Sequence, residues 1–164
     1  MRRTPILITI AALMTPMLFA QSRPSGSRPF KKTIPRTKAI VNISHPTKVT
    51  GVGISTPSGV RYWDIQKGEG SAAERGHVVK VLYMAWVENG KQFDGSPSID
   101  RPTIFTLGAG QVIRGWEEGM EGMKAGGKRQ IRIPAYLAYG SAGVPPLVPP
   151  NANLIFDIAL IEVQ

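Results

Sequence analysis

Cysteine is absent from the chain, and histidine occurs only as His45 and His77. Without a thiol, the protein can form no disulfide bond, no thiolate nucleophile and no cysteine-ligated zinc site. Neither histidine has a second metal ligand at the usual spacing, so we expect both to be surface residues. The sequence therefore predicts no metal centre and no cofactor, and the fold must be stabilised by packing.

Acidic residues are absent from positions 1–48, which carry nine lysines and arginines. Residues 49–164 hold eleven residues of each sign, so the net charge of +9 belongs to the N-terminal part. A nucleic-acid-binding domain would carry its cations on the folded surface, and we therefore predict no nucleic-acid binding by the domain. The basic segment is either a solvated linker or a weak contact for an anionic surface.

The start of the chain has the order of a secretory signal peptide. Two arginines follow Met1, residues 4–20 are uncharged and mostly apolar, and residues 21–24 are polar. The apolar run is at the short limit for a spanning helix and contains two prolines, so a retained anchor is the less favoured alternative. We expect cleavage near Ala20 and a periplasmic or secreted location in a bacterium.

Residues 21–38 are rich in proline, serine and basic residues and poor in apolar ones. This composition predicts a linker without a core of its own. The short apolar patches within 39–54 could add edge strands to the domain that follows. We therefore assign 21–58 to a basic, Pro/Ser-rich linker and 59–164 to a folded domain.

The apolar pattern of the folded domain predicts short strands around a single helix. Val112, Trp116 and Met120 recur at helical spacing, which predicts a helix over 111–120. The dipeptide Asn89-Gly90 is a tight-turn signal. Strands are predicted over 60–65, 78–87, 103–107, 129–133 and 154–163. The resulting interpretation is an α+β domain, an antiparallel sheet wrapped around one short helix.

Four separate motifs point to one family. They are GKQFDGS (90–96), VIRGWEEGMEGM (112–123), AYG (138–140) and VPPNANLIFDIALIEV (148–163). Their order and spacing resemble the signature of the FKBP-type peptidyl-prolyl cis-trans isomerases, and the resemblance spans 59–164. It implies a strongly twisted antiparallel sheet around a short helix, with an apolar pocket between them. It also implies proline-containing polypeptides as substrates, the family's macrolide inhibitors as ligands, and no cofactor.

The resemblance further implies the residues of that pocket. Trp116 would be the floor, three other aromatic residues would be the walls, and Asp94 and the Tyr139 hydroxyl would be the polar groups. The backbone N–H of Ile113 would face a bound carbonyl. The implied catalytic residues are Asp94, Tyr139, Trp116, Phe93 and Phe156, and the implied substrate contacts are Tyr83, Val112, Ile113 and Val148. Thr103 stands where the family commonly has an aromatic residue, so the wall would be thinner there.

Such residues suit rotation about an X-Pro bond, which breaks no bond and needs no nucleophile. An apolar pocket disfavours the charge-separated planar amide relative to the twisted transition state. Taken singly, Trp116 and Phe156 are typical of a core and Asp94 is typical of a turn. Only the joint spacing of the four motifs favours a functional pocket over these ordinary structural roles. Two functions remain open, an isomerase that acts on exported proteins and a binding module with little turnover.

Strand alternation predicts an apolar outer surface on the sheet. If Tyr83 and Phe156 point toward the pocket, large apolar residues of the same two strands must point away from it. These are Leu82, Met84, Trp86, Ile155 and Ile161. A contiguous apolar patch usually marks a contact surface, so we expect it to be covered by the 39–54 segment or by a second subunit. The segment is favoured because it has apolar residues of its own to bury, namely Ile40, Val41, Ile43, Val49 and Ile54.

Overall fold

The computed structural model describes residues 45–164. The predicted signal peptide 1–20, the linker 21–38 and the first part of the 39–54 segment lie outside the described residues. In the described part, none of the helices has the length and apolar character needed to cross a membrane.

Residues 45–164 form a seven-stranded antiparallel sheet with one α-helix and one short 3-10 helix. The strands are β1 (Ile54–Ser55), β2 (Arg61–Gln66), β3 (Val78–Val87), β4 (Gln92–Ser96), β5 (Thr103–Thr106), β6 (Lys128–Ile133) and β7 (Leu154–Val163); the helices are α1 (Arg114–Met120) and the 3-10 helix (Ala135–Leu137). The sheet order is β1-β2-β6-β7-β3-β4, and β5 pairs with β3. The α+β prediction is confirmed, whereas the 3-10 helix was not predicted.

The central strands β3 and β7 alternate between an inner face, which packs on α1, and an outer face, which points away from it. Ala85 of β3 lies opposite Phe156 of β7, and Tyr83 lies opposite Ile158. The inner face supplies the core residues Val79, Val81, Ala85, Val87, Leu154, Phe156, Ile158 and Leu160. The parity predicted from the sequence is therefore correct for the inner face.

The helix α1 begins three residues later than predicted, at Arg114 instead of position 111. Ile113 is extended, with φ −61° and ψ 146°. The Gln111 side chain accepts a 2.7 Å hydrogen bond from the Thr106 N–H, which ties the preceding turn to β5. Val112 and Ile113 therefore precede the helix, so the predicted start at position 111 is wrong, although both residues still pack against the core cluster.

Two glycines allow α1 to lie directly on the sheet. A Cβ atom at Gly119 would be 2.7 Å from Cγ2 of Ile131, and one at Gly115 would overlap the side chain of Ile133. Any larger residue at either position would push the helix away from β6. This close approach buries Trp116, whose side chain is only 4% exposed.

Arg129 anchors the C-terminal end of α1, a role that the sequence analysis did not predict. Its side chain is buried, and its Nε donates a 2.7 Å hydrogen bond to Asp64. Nη1 donates a 2.8 Å hydrogen bond to the carbonyl of Gly119, and the guanidinium carbon lies 4.0 Å from the ring centroid of Tyr62. Arg129 thus satisfies a carbonyl that the helix end leaves unpaired and joins α1 to β2.

The outer face of the sheet is apolar and largely buried. Leu82, Met84, Trp86 and Ile155 are each at most 7% exposed. Ile161 is only half-buried, and it lies where the pairing of β7 with β3 is bulged. Ile54 is exposed in the edge strand β1, so the expectation that it would be covered is wrong.

Candidate aromatic site

Trp116 is the centre of an aromatic cluster between α1 and the inner face of the sheet. Its ring lies 4.8 Å from the ring of Tyr83 and 5.3 Å from that of Phe156, both in edge-to-face geometry. Such arrangements match the negative face of one ring with the positive edge of another. Tyr83 is half-buried, whereas Trp116 and Phe156 are buried, so Tyr83 marks the open side of the cluster.

Phe93 and Tyr139 extend the cluster toward the surface. The ring of Phe93 lies 6.1 Å from that of Phe156 and 6.5 Å from that of Tyr139. Both Phe93 and Tyr139 are half-buried. The fold therefore brings together the five aromatic residues that the sequence analysis named, from β3, β4, α1, β7 and the segment that follows the 3-10 helix.

The hydroxyl of Tyr83 is engaged with Asp94. It donates a 2.7 Å hydrogen bond to Asp94 Oδ2. Burial first, and then the hydrogen bond and negative charge of Asp94, raise the pKa of Tyr83 well above its ordinary value. Burial and the charge of Asp94 also raise the pKa of Tyr139. Both phenols are therefore neutral hydrogen-bond donors at physiological pH.

Two donors that the sequence analysis named have no acceptor within the described part of the chain. The Tyr139 hydroxyl and the backbone N–H of Ile113 form no hydrogen bond to residues 45–164. Ile113 is half-buried and lies three residues before Trp116. A ligand carbonyl that enters beside Trp116 could accept from such donors without displacing a protein partner.

Val112 and Val148 differ in how deeply they are buried. Val112 is half-buried and packs against the core cluster. Val148 is 2% exposed, and its N–H and carbonyl pair with Val144 across the long loop before β7. Val148 is therefore buried to about the same degree as Trp116 and Phe156, and its contact with substrate stays a prediction.

Phe105 is a neighbour of Trp116 that the sequence analysis missed. Its ring lies 5.7 Å from that of Trp116, and it is buried. The available signal was strand parity, because Phe105 pairs with Val79 and Thr103 pairs with Val81, both on the inner face. Phe105 supplies aromatic surface on the side of the pocket where the wall was predicted to be thin, because Thr103 is not aromatic.

Comparison with known proteins identifies the family. A family profile described as FKBP-type peptidyl-prolyl cis-trans isomerase matches residues 69–161. The chain belongs to this family. All nine site residues implied by the FKBP resemblance, from Tyr83 to Phe156, lie within the matched range.

The part of each FKBP relative that aligns with this chain differs from one relative to the next. The chain is 47% identical over 100 residues to the FK506-binding protein of Neisseria meningitidis serogroup A, which covers 61% of this chain and 92% of that protein. It is 44% identical over 124 residues to FK506-binding protein 4 of Dictyostelium discoideum, covering 76% of this chain but only 33% of the relative. The crystal structure of FkpA from Escherichia coli superposes with a TM-score of 0.62 at 40% identity, over 68% of this chain and 51% of FkpA.

Proposed function

We propose that the chain is an active peptidyl-prolyl cis-trans isomerase whose substrate proline binds over Trp116. The observation that carries this proposal is the combination of a buried aromatic floor with half-buried rings and unpaired donors at its rim. The side chains of Tyr83, Phe93 and Phe156 form the walls. A flat, apolar proline ring fits aromatic surfaces, whereas the amide next to it needs hydrogen-bond donors.

Catalysis then follows from differential binding of the twisted amide. Rotation about an X-Pro bond loses amide resonance and has a barrier of roughly 18–20 kcal/mol. The planar amide is more charge-separated than the twisted one, so an apolar, water-poor environment disfavours the ground state. Each tenfold acceleration requires about 1.4 kcal/mol. Several modest contributions from the aromatic walls and the rim donors are therefore sufficient.

The two tyrosines have different parts in this mechanism. The Tyr83 hydroxyl is held by Asp94, so Asp94 acts as a positioning residue that keeps the Tyr83 ring upright against Trp116. The Tyr139 hydroxyl and the Ile113 N–H are available to a substrate carbonyl. Holding that carbonyl while the proline side turns lowers the entropic cost of reaching the transition state.

The proposed substrates are proline-containing polypeptides outside the cytoplasm. Export is supported by the order of basic, apolar and polar residues in 1–24. Mass spectrometry of the protein, expressed in a bacterium that exports proteins through signal peptides, tests whether the N-terminus is cleaved. A mature N-terminus at Gln21 agrees with cleavage after Ala20, whereas intact Met1 in the membrane fraction indicates a retained anchor.

The test of catalysis is NMR exchange spectroscopy on a short X-Pro peptide, with and without the protein. We expect faster exchange with the wild-type chain, and about fivefold lower kcat/KM for Tyr139→Phe, since one hydrogen bond contributes about 1 kcal/mol and tenfold corresponds to about 1.4 kcal/mol. Tyr136→Phe is the matched control, because the hydroxyl of the exposed Tyr136 donates, among residues 45–164, only to the Ser58 carbonyl. Peptide binding without any acceleration would favour the alternative, a binding module with little turnover.

A further inference from the structure

Two buried polar side chains on the outer face bind one residue of the segment that precedes β1. Asp157 and Gln130 lie opposite each other on β7 and β6, and both are buried. Asp157 Oδ2 accepts hydrogen bonds from the Thr47 N–H at 2.8 Å and the Thr47 hydroxyl at 2.6 Å. Gln130 Nε2 donates to the Thr47 carbonyl at 2.7 Å and to Asp157 Oδ1 at 2.8 Å. We call these two side chains the Gln130–Asp157 pair.

The Gln130–Asp157 pair depends on Thr47 for its own stability. Within residues 45–164, no lysine or arginine forms a salt bridge with Asp157, so hydrogen bonds are what stabilise its buried carboxylate. A buried charge is costly unless its oxygens are hydrogen-bonded. Because both the N–H and the carbonyl of Thr47 are bound, the pair binds an extended peptide backbone as well as a side chain.

A second contact fixes the direction of this segment. The indole N–H of Trp63 donates a 3.1 Å hydrogen bond to the Gly51 carbonyl. A Cβ atom at Gly53 would lie 2.8 Å from Cζ2 of Trp63, so only glycine can pass this close. Trp63 lies on β2 opposite Gln130. From Gly53 back to Thr47, the chain thus runs across the outer face from β2 toward β7.

Continuation in the same direction leads over β7 to β3. Neighbouring strands are about 4.8 Å apart, and three extended residues span about 10 Å. Residues 39–44, AIVNIS, therefore have the length to reach Trp86 and Ile155. The outer face still contains a buried donor, Trp86 Nε1, and a buried acceptor, Gln130 Oε1, that have no hydrogen-bond partner among residues 45–164. A peptide backbone offers the complementary carbonyl and N–H.

We propose that the outer face of β6, β7 and β3 is a docking site for the chain's own segment 39–53. Residues 45–53 bind to Trp63 and to the Gln130–Asp157 pair, and the apolar residues of 39–44 cover Leu82, Trp86 and Ile155. The outer face and the aromatic cluster lie on opposite sides of the sheet.

Single-cysteine labelling tests whether the segment 39–53 docks on the outer face, because the natural chain has no cysteine that would also react. In the full chain, Ile43→Cys should react with a soluble maleimide at least about tenfold more slowly than Ser27→Cys in the linker, a protection that corresponds to local opening of the docked segment. Equal rates for the two variants would overturn the proposal. Slow labelling that accelerates on dilution would assign the cover to a second copy of the chain, and would overturn it as well.

The Gln130–Asp157 pair is tested in the same labelling assay. Adding Asp157→Asn to Ile43→Cys should restore the Ser27→Cys rate, because one of the two polar atoms of asparagine is a donor and cannot accept from both Thr47 and Gln130. Thr47→Val should give an intermediate rate, and Thr50→Val, at an exposed threonine of the same segment, should have no effect. If Asp157→Asn fails to fold, Thr47→Val decides: full protection in that variant would show that the pair does not hold the segment.

Discussion

The Tyr83 hydroxyl donates its hydrogen bond to Asp94 Oδ2 at 2.7 Å, which joins the centre of β3 to its neighbour β4. The other oxygen, Asp94 Oδ1, accepts a 2.8 Å hydrogen bond from the Gly95 N–H. Both oxygens of this exposed carboxylate therefore have protein donors. This relationship separates the two tyrosines of the cluster, because Tyr83 is engaged and Tyr139 remains available to a ligand.

The first prediction concerns the ionisation of Tyr83. Burial is the main cause of its raised pKa, and Asp94 adds to it through a hydrogen bond and its charge. Asp94→Asn should therefore lower the pKa of Tyr83 while leaving it above the ordinary value of 10.0. Spectrophotometric titration of the phenolate measures this, with Tyr83→Phe used to assign the signal. An unchanged titration curve in Asp94→Asn would contradict the coupling.

The same raised pKa makes stability depend on pH in the alkaline range. At pH values below the ordinary tyrosine pKa of 10.0, Tyr83 is protonated in both the folded and the unfolded chain, so it does not change how the free energy of unfolding varies with pH. Above it, the unfolded chain loses the proton first, so the free energy of unfolding falls as pH rises toward the folded-state pKa. Urea unfolding at several alkaline pH values should show a shallower fall for Tyr83→Phe than for the wild type.

The second prediction concerns the aromatic floor. Trp116→Ala should lower the free energy of unfolding by about 3–5 kcal/mol, because a large buried side chain leaves a cavity. Trp116→Leu should fold better yet bind the family's macrolide inhibitors poorly, and it breaks no hydrogen bond since the indole N–H has no partner. Met120→Leu is the control, because Met120 is buried on the same helix and is not among the proposed pocket residues. Normal inhibitor affinity in Trp116→Leu would rule out the floor assignment.

The third prediction is that isomerisation does not depend on a titrating acid or base. Neither histidine belongs to the aromatic cluster. His77 directly precedes β3, and its Nδ1 lies 3.3 Å from the Ala72 carbonyl oxygen. The activity toward an X-Pro peptide should therefore be nearly constant from about pH 6 to 8, a range in which general acid–base catalysis by histidine would produce a bell-shaped profile. Rate measurements across that range check it, and a clear maximum would require another mechanism.

The fourth prediction concerns the contact between α1 and β6. Gly115→Ala should lower the free energy of unfolding by about 1–3 kcal/mol through overpacking against Ile133, although alanine favours a helix. Ile133→Ala should reduce that cost when the two changes are combined, because it removes Cγ2, the atom nearest to the added Cβ. A double-mutant cycle by urea unfolding measures the coupling. Strictly additive effects would mean that the helix shifts freely and that close contact is not required.

The sequence by itself determined the frame of the domain. The strands 78–87 and 154–163 were predicted with the bounds that the structure has, because an apolar face that alternates with period two is encoded locally. The turn at Asn89-Gly90 follows from the conformational freedom of glycine, and Gly90 has a φ of +93°. The resemblance to the FKBP signature, which rests on four motifs of the sequence, also implied the five aromatic residues that the fold brings together at Trp116.

Only the tertiary structure decided which residues act across long separations. Gln111 bonds to Thr106 before α1, Arg129 bonds to a carbonyl at the end of α1, and Phe105 lies beside Trp116. The Thr47 contact joins residues 110 positions apart in sequence. No local pattern records such pairs, because a buried polar group is stabilised by whichever partner the fold brings to it.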